Sequence, residues 1–322
     1  MQLHRYIAFR LIQLIPLILV VIVINFVLMH LAPGDVASTL AGEDVDPDYL
    51  NHIRALYGLD QPILVQLLNY LGQVLQGDLG FSFRSREPVI DVIMSRAPAT
   101  LLLVGTSLLI GSVAGTAIGT LLARRPGSVV DTTISTIAVA IYSVPVFWLG
   151  LMLILLFGVQ LRWLPTSGMV SLVPASSTLG HVWDVAYHMI LPAAALSSIW
   201  MGQYLRLART SVAQVMGESY ITTVRAVGFP ERTVLLHYAL RNALLPVVTM
   251  FGLQMGLVLA GAVLTETVFA WPGLGRLIYE AILARDIPVI MGAYVVMSIT
   301  VALASLLTDL AYAALDPRVQ LR

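Results

Sequence analysis

The chain has 322 residues and a mass of 34.9 kDa; 58% of the residues are hydrophobic, only 11% are charged, mean hydropathy is +0.87 and net charge is zero. Soluble globular chains carry about 25% charged residues, so a soluble fold is excluded, and the lack of a basic excess argues against disorder and nucleic-acid binding. All 18 basic residues are Arg; without Lys or Cys there is no phosphate-loop lysine, Schiff-base lysine, disulfide or thiolate metal site.

An apolar bilayer core about 30 Å thick takes roughly 20 residues of helix. Leu11 to Met29 meets that length, interrupted only by Gln13, Pro16 and Asn25. Its apolar core exceeds the roughly 7–15 residues of a signal peptide, and His30-Leu31-Ala32-Pro33 is a poor cleavage site, so it reads as a retained first span.

The loop that follows, 32–96, is too long for a connector. It is acidic early, at Asp35, Glu43, Asp44, Asp46 and Asp48; Ile53, Leu56 and Tyr57, then Leu64, Leu67, Leu68 and Leu71 after Pro62, fall at helical spacing. Short helices on the outer membrane face are expected, either as a solvated cap or as a dock for an external partner.

Five more charge-free stretches follow: Ala97–Ala123, Thr132–Leu161, Val185–Leu205, Asn242–Thr265 and Ile287–Thr308. No alternating ten-residue segments suggest a barrel, so the fold class is all-α, a polytopic membrane protein of six spans. The organisation is a tip and first span at 1–31, an external helical region at 32–96, and a five-span core at 97–322 with an inside loop at about 206–241. Placing the N-terminus inside assigns 11 of the 18 Arg to the cytoplasm, with four of the other seven in the long outer loop, where the rule weakens. Both termini then lie inside.

Gly111, Gly115 and Gly119 form two G-x-x-x-G steps on one face of the second span, and Gly252 and Gly256 another in the fifth. Such faces let helix backbones approach closely, within one bundle or against a second subunit; the sequence leaves both open. Pro16, Pro145 and Pro192 inside spans mark kinks or ordinary bundle prolines.

In the inside loop, Val212, Val215, Met216, Ser219, Tyr220, Val224 and Val227 repeat at three- or four-residue spacing, predicting one amphipathic helix that stops at Gly228, a left-handed C′ residue. Pro230 is placed at N1 of a second short helix, whose apolar face continues through Val234, Leu235, Tyr238 and Leu240. An elbow of this kind lies on lipid or seats on a soluble partner.

The six His are scattered, with no H-E-x-x-H and no G-x-S-x-G, so neither metal catalysis nor a serine nucleophile is indicated, and no metal site is assigned. Glu266 and Asp309 lie at span ends rather than mid-membrane, where ion-coupled carriers place ionisable groups. Glu266 either caps a helix or lines a vestibule of the translocation path; Asp309 reads as interfacial or intersubunit.

The segment Tyr220-Ile-Thr-Thr-Val-Arg-Ala-Val-Gly228-Phe-Pro-Glu-Arg-Thr-Val-Leu-Leu-His-Tyr-Ala-Leu-Arg-Asn-Ala-Leu-Leu-Pro246 resembles the coupling loop of binding-protein-dependent ABC importer permeases, in the dipeptide/oligopeptide/nickel branch. Tyr57-Gly-Leu-Asp-Gln-Pro62, Gly77-Asp-Leu-Gly80, Phe269-Ala-Trp-Pro-Gly-Leu-Gly275 and the tail Ala314-Leu-Asp-Pro-Arg318 are similar to the same branch. Gly228 holds the glycine of the superfamily's Glu-Ala-Ala pattern, but Thr222, Thr223 and Val224 stand at the Glu-Ala-Ala positions and Arg241 at the proline.

The resemblance implies a second homologous permease subunit, two cytoplasmic ATPase subunits and an extracytoplasmic solute-binding protein, in the cytoplasmic membrane. It implies no cofactor in this chain, with ATP and Mg on the ATPases. It also implies ATPase coupling through Val224, Arg225, Ala226, Val227, Gly228, Phe229 and Pro230, and binding-protein docking through Leu59, Asp60, Gln61 and Asp78. Peptide is the cargo the branch favours, beside nickel chelates, glutathione-like compounds and oligosaccharides. The competing class is an ion-coupled carrier or channel acting alone.

Overall fold

The computed structural model describes residues 3–31, 51, 60–82, 84–173, 177–256, 258 and 262–315; within α1 and the last helix some side chains are not described. Leu59, the acidic residues 35–48 and the end of the tail motif therefore lie outside the described residues, as does the side chain of Asp309.

Helices dominate because the charge-free stretches have no other way to pair their backbone in lipid. They are α1 Leu3–Leu31, α2 Ile63–Leu75, α3 Val89–Leu122, α4 Val129–Ser143, α5 Val146–Gln160, α6 Thr178–Met216, α7 Ser219–Ala226, α8 Glu231–Ala243, α9 Leu245–Gly256, α10 Val263–Val268, α11 Leu274–Leu283 and α12 Ile287–Leu315. A two-stranded antiparallel hairpin, β1 Phe81–Ser82 with β2 Glu87–Pro88, precedes α3. Among the described residues α3, α6 and α12 are each long and apolar enough to cross a membrane; counting the bent pairs α4–α5 and α8–α9 as one span each gives five.

The third predicted span is not straight. α4 and α5 meet at 100°, because Pro145 offers no N–H to the preceding turn and forces Val144 into extended backbone (φ −80°, ψ 132°). α5 ends in a π-helical stretch, Ile154–Gln160. At the start of the fifth predicted span α8 and α9 meet at 46°; α9 is described to Gly256 and α10 from Val263. Pro192, by contrast, lies within α6, a continuous helix of 39 residues.

α3 and α6 form the central pair, and here the first G-x-x-x-G face finds its partner inside the chain. A Cβ on Gly111, Gly115 or Gly119 would come within 2.7, 2.5 and 2.3 Å of the carbonyl oxygens of Ser197, Met201 and Leu205, respectively. The backbones touch, as small residues permit. Leu103, Leu108 and Tyr204 are fully buried in the main core cluster beside this seam.

At one end α4 is tied to α6 by a fork of hydrogen bonds from Arg209 to the buried Asp131, with Nη2 to Oδ2 at 2.6 Å and Nε to Oδ1 shorter still. Asp131 also accepts from the Gly127 N–H at 2.8 Å, and Ser128 caps α4. Planar bidentate pairing of this kind is what Arg supplies and Lys does not.

Candidate functional site

The elbow around Gly228 lies at the Arg209 end of the bundle. The single amphipathic helix predicted over 212–227 is two helices: α6 runs to Met216, its last turn closed by Gly217 and Glu218 N–H bonds to Gln214 and Val215 carbonyls, both 3.1 Å. Glu218 is extended (ψ 146°), and α7 starts at Ser219. Gly217 is the weak point, since glycine in a helix costs about 1 kcal/mol relative to Ala.

α7 ends as the sequence predicts. The Gly228 N–H bonds to Arg225 O at 2.9 Å and Gly228 adopts φ +92°. Pro230 is extended (ψ 144°) and stands at the N-cap, one position before the expected N1, with Glu231 opening α8.

The elbow has a fixed inside and an open outside. Ile221, Val234 and Ala239 are buried together, and the Tyr220 hydroxyl donates to Tyr238 O at 3.2 Å while accepting from Asn242 Nδ2 at 2.9 Å. Outward, Val224 is half-buried and Arg225, Ala226, Val227, Gly228, Phe229 and Pro230 are all exposed, Val227 at 70%. Arg225 Nε bonds Glu231 Oε1 at 2.8 Å across the turn; an exposed pair of this sort contributes little stability, about 0–1 kcal/mol. The elbow thus presents a contiguous apolar edge on a braced support.

The expected docking residues sit at the other end. Asp60 and Gln61 are exposed just before α2, where Gln61 O accepts from Gln66 Nε2 at 2.8 Å. Asp78 follows α2, its carboxylate accepting from the Gly80 N–H at 2.9 Å. The 13 residues of α2 separate the two sites by about 20 Å of helix, so they do not form one patch. The hairpin after Asp78 is pinned to the α11–α12 junction by Ser82 Oγ donating to Asp286 Oδ2 at 2.6 Å, with both residues buried.

Glu266 lies in a buried knot at this same end, not on an open wall. Its carboxylate accepts from Thr100 Oγ1 at 2.7 Å and from the Arg276 N–H at 3.0 Å, and its residue is 0% exposed. Thr100 in turn accepts from the Leu274 N–H at 2.7 Å. Together they satisfy orphan N–H groups of the first turn of α11, where the helix dipole also favours a carboxylate.

The Phe269–Gly275 motif builds this knot. Trp271, fully buried, donates Nε1–H to Ala99 O at 2.8 Å, and Arg276 donates to Ala270 O at 2.7 Å. Gly273 has no room for a side chain, since its Cβ would stand 2.4 Å from the Glu266 carboxyl carbon. Thr100 carries no sequence signal, being one hydroxyl at the start of an apolar stretch. Trp271 and Gly273 lie in a flagged motif whose roles only the contacts reveal.

Next to the knot is a chamber of about 400 Å³, open on one side, lined by α3, α5, α6, α9 and α10. Val104, Val146, Leu196, Trp200, Gln254, Val258 and Thr265 are among its lining, and no charged residue is. Among the described residues, no group of three or more His, Cys, Asp or Glu is placed to hold a metal ion.

Residues 115–321 match the family described as binding-protein-dependent transport system inner membrane component, and residues 3–104 match its N-terminal membrane component. These define a permease subunit of an ABC importer in the inner membrane, and the reading as a carrier acting alone falls away. The dipeptide transport system permease protein DppB of Escherichia coli K12 is 39% identical over 98% of both chains. The oligopeptide transport system permease protein AppB of Bacillus subtilis is 38% identical over 98% of this chain and 99% of its own. The glutathione transport system permease protein GsiC of Escherichia coli K12 is 40% identical with the same coverage. The chain belongs to the binding-protein-dependent ABC importer permeases, in their peptide branch. A solved chain of the inward-facing MetNI methionine ABC transporter shares the fold, with a TM-score of 0.52, 18% identity, and coverage of 70% of this chain and 97% of that one.

Proposed function

We propose that this permease forms half of a peptide translocation path, beside a second permease, above two ATPases that bind ATP and Mg, and beneath a solute-binding protein that delivers cargo. The chain crosses the membrane six times with both termini in the cytoplasm, which puts the elbow on the ATPase side and the hairpin, α2 and the knot on the outer side. Peptide cargo rests on the relatives, which are named as dipeptide, oligopeptide and glutathione permeases.

The observation that carries the coupling role is the exposed edge 225–230 on its braced interior. Val224 to Pro230 seat on an ATPase, and the apolar side chains there need a partner rather than water. α6 is continuous from the elbow to the chamber and beyond, so a displacement at Met216 reaches Trp200 as a rigid-body movement. Such a movement is driven only if the ATPase contacts two states of the elbow differently. Asp60, Gln61 and Asp78 contribute two separate docking points outside, with Leu59 beside the first. Glu266 holds the outer rim of the path rather than meeting cargo.

Gly228→Val tests this role. No atom lies within 4 Å of where a Cβ would be, so the obstacle is the backbone at φ +92°, not space. A side chain there costs roughly 1–2 kcal/mol, and more if β-branched. The variant is expected to accumulate and assemble but to lose ATP-driven peptide uptake in cells, with Gly228→Asn retaining more. Full uptake with Val would remove the elbow from the coupling mechanism.

A further inference from the structure

The chamber beside the knot carries a feature that packing alone leaves unexplained. Thr265 is 1% exposed and lines the chamber, yet its hydroxyl has no hydrogen-bond partner among the described residues. A buried polar group left unpaired costs about 1–3 kcal/mol. Gln254, half-buried, also lines the chamber. Around these two groups stand Val146, Leu196, Trp200 and Val258, with no charge.

We infer that the chamber is a cargo subsite that takes one apolar side chain together with its flanking peptide unit. An amide and a hydroxyl offer both donors and acceptors, which is what a peptide C=O and N–H require. The apolar walls exclude a charged side chain, because nothing there compensates its desolvation. Ligand pockets span about 300–1,000 Å³, so a chamber of about 400 Å³ takes a residue-sized part of a peptide and leaves the charged termini outside. A metal chelate finds no ligating side chain on these walls. This subsite rests on the reading of the chain as a peptide permease, and it adds a selectivity filter inside the membrane to whatever the binding protein selects.

The chain has no cysteine, so Val258→Cys places a single thiol of this subunit on the chamber wall and leaves Gln254 and Thr265 in place. Modification of that thiol is followed in spheroplasts carrying the complete importer, after purification of this subunit. The reagents are benzyl methanethiosulfonate and its trimethylammonioethyl analogue, each rate normalised to reaction with free cysteine in solution. The benzyl reagent is expected to react at least about tenfold faster, since the cation must shed water to enter. Trileucine is expected to slow labelling several-fold and triaspartate to leave it unchanged.

Equal rates for the two reagents, or equal protection by triaspartate, would overturn the subsite. Benzyl labelling that trileucine does not slow, in cells that import trileucine through this chain, would also overturn it, because lipid then fills the chamber. If the unmutated importer takes up neither peptide, the peptide-permease reading itself fails. Val146→Cys, at a second wall position, gives the same readout if the first variant does not accumulate.

Discussion

Gly119→Leu is expected to remove this permease from the membrane, and Gly119→Ala to lower its Tm measurably in detergent. The added Cβ would stand 2.3 Å from Leu205 O and 3.0 Å from Arg209 N, both backbone atoms of a long helix that has no local freedom to move. Overpacking typically costs about 1–3 kcal/mol where side chains can adjust; here α3 and α6 must separate, so the cost is at or above the top of that range. In lipid no hydrophobic force pushes the helices back together, because the tails are as apolar as the side chains. Gly105→Ala is the control on the same helix, since nothing lies within 4 Å of its Cβ, and it should behave as wild type. Membrane accumulation and fluorescence-detected size exclusion after heating read both variants. Normal levels of Gly119→Leu would mean that the α3–α6 seam is wrong.

Glu266→Ala is expected to have the second-largest effect, while Glu266→Gln leaves assembly and transport largely intact. Alanine strands the Thr100 hydroxyl and the Arg276 N–H in a fully buried site, at about 1–3 kcal/mol for each group, and leaves a cavity beside Gly273. Glutamine keeps the shape. Its carbonyl oxygen can take the Arg276 N–H while its NH₂ donates to Thr100 Oγ1, which already accepts from Leu274 and has a second lone pair; the Thr100 O–H, which otherwise donates to the carboxylate, is the one donor this exchange leaves to find a new acceptor. Folded yield and peptide uptake, measured together, separate the two roles. Glutamine with normal assembly but no uptake would move Glu266 out of the knot and into the transport step.

Those two sites also show what could be read in advance. Charge-free length located the helices, because a bilayer demands it, and the glycine spacing marked a close-packed face. The partner of that face was not legible: Ser197, Met201 and Leu205 contribute carbonyls, which no side-chain pattern announces. The left-handed Gly228 was legible because only local geometry is involved. The break at Gly217 was not, since the apolar spacing runs unbroken through it. Pro145 was visible as either a kink or an ordinary bundle proline, and an angle of 100° depends on what α4 and α5 each pack against.

The candidate site divides the same way. The Phe269–Gly275 motif drew notice, yet its purpose emerges only when Thr100, 166 residues from Glu266 in sequence, closes on the same carboxylate. Arg209 entered the sequence reading as one positive charge among many. Its fork to Asp131, across 78 residues, makes it a structural tie instead.

The most direct measurement is purification of the tagged chain in mild detergent, with identification of the proteins that accompany it. A second permease and two ATPases in stable association are the predicted result, with the ATPase seated on this chain's elbow lost or depleted when Val227 and Phe229 are replaced together by Asp. A chain that purifies alone and transports solute in liposomes without ATP would contradict the account at its centre.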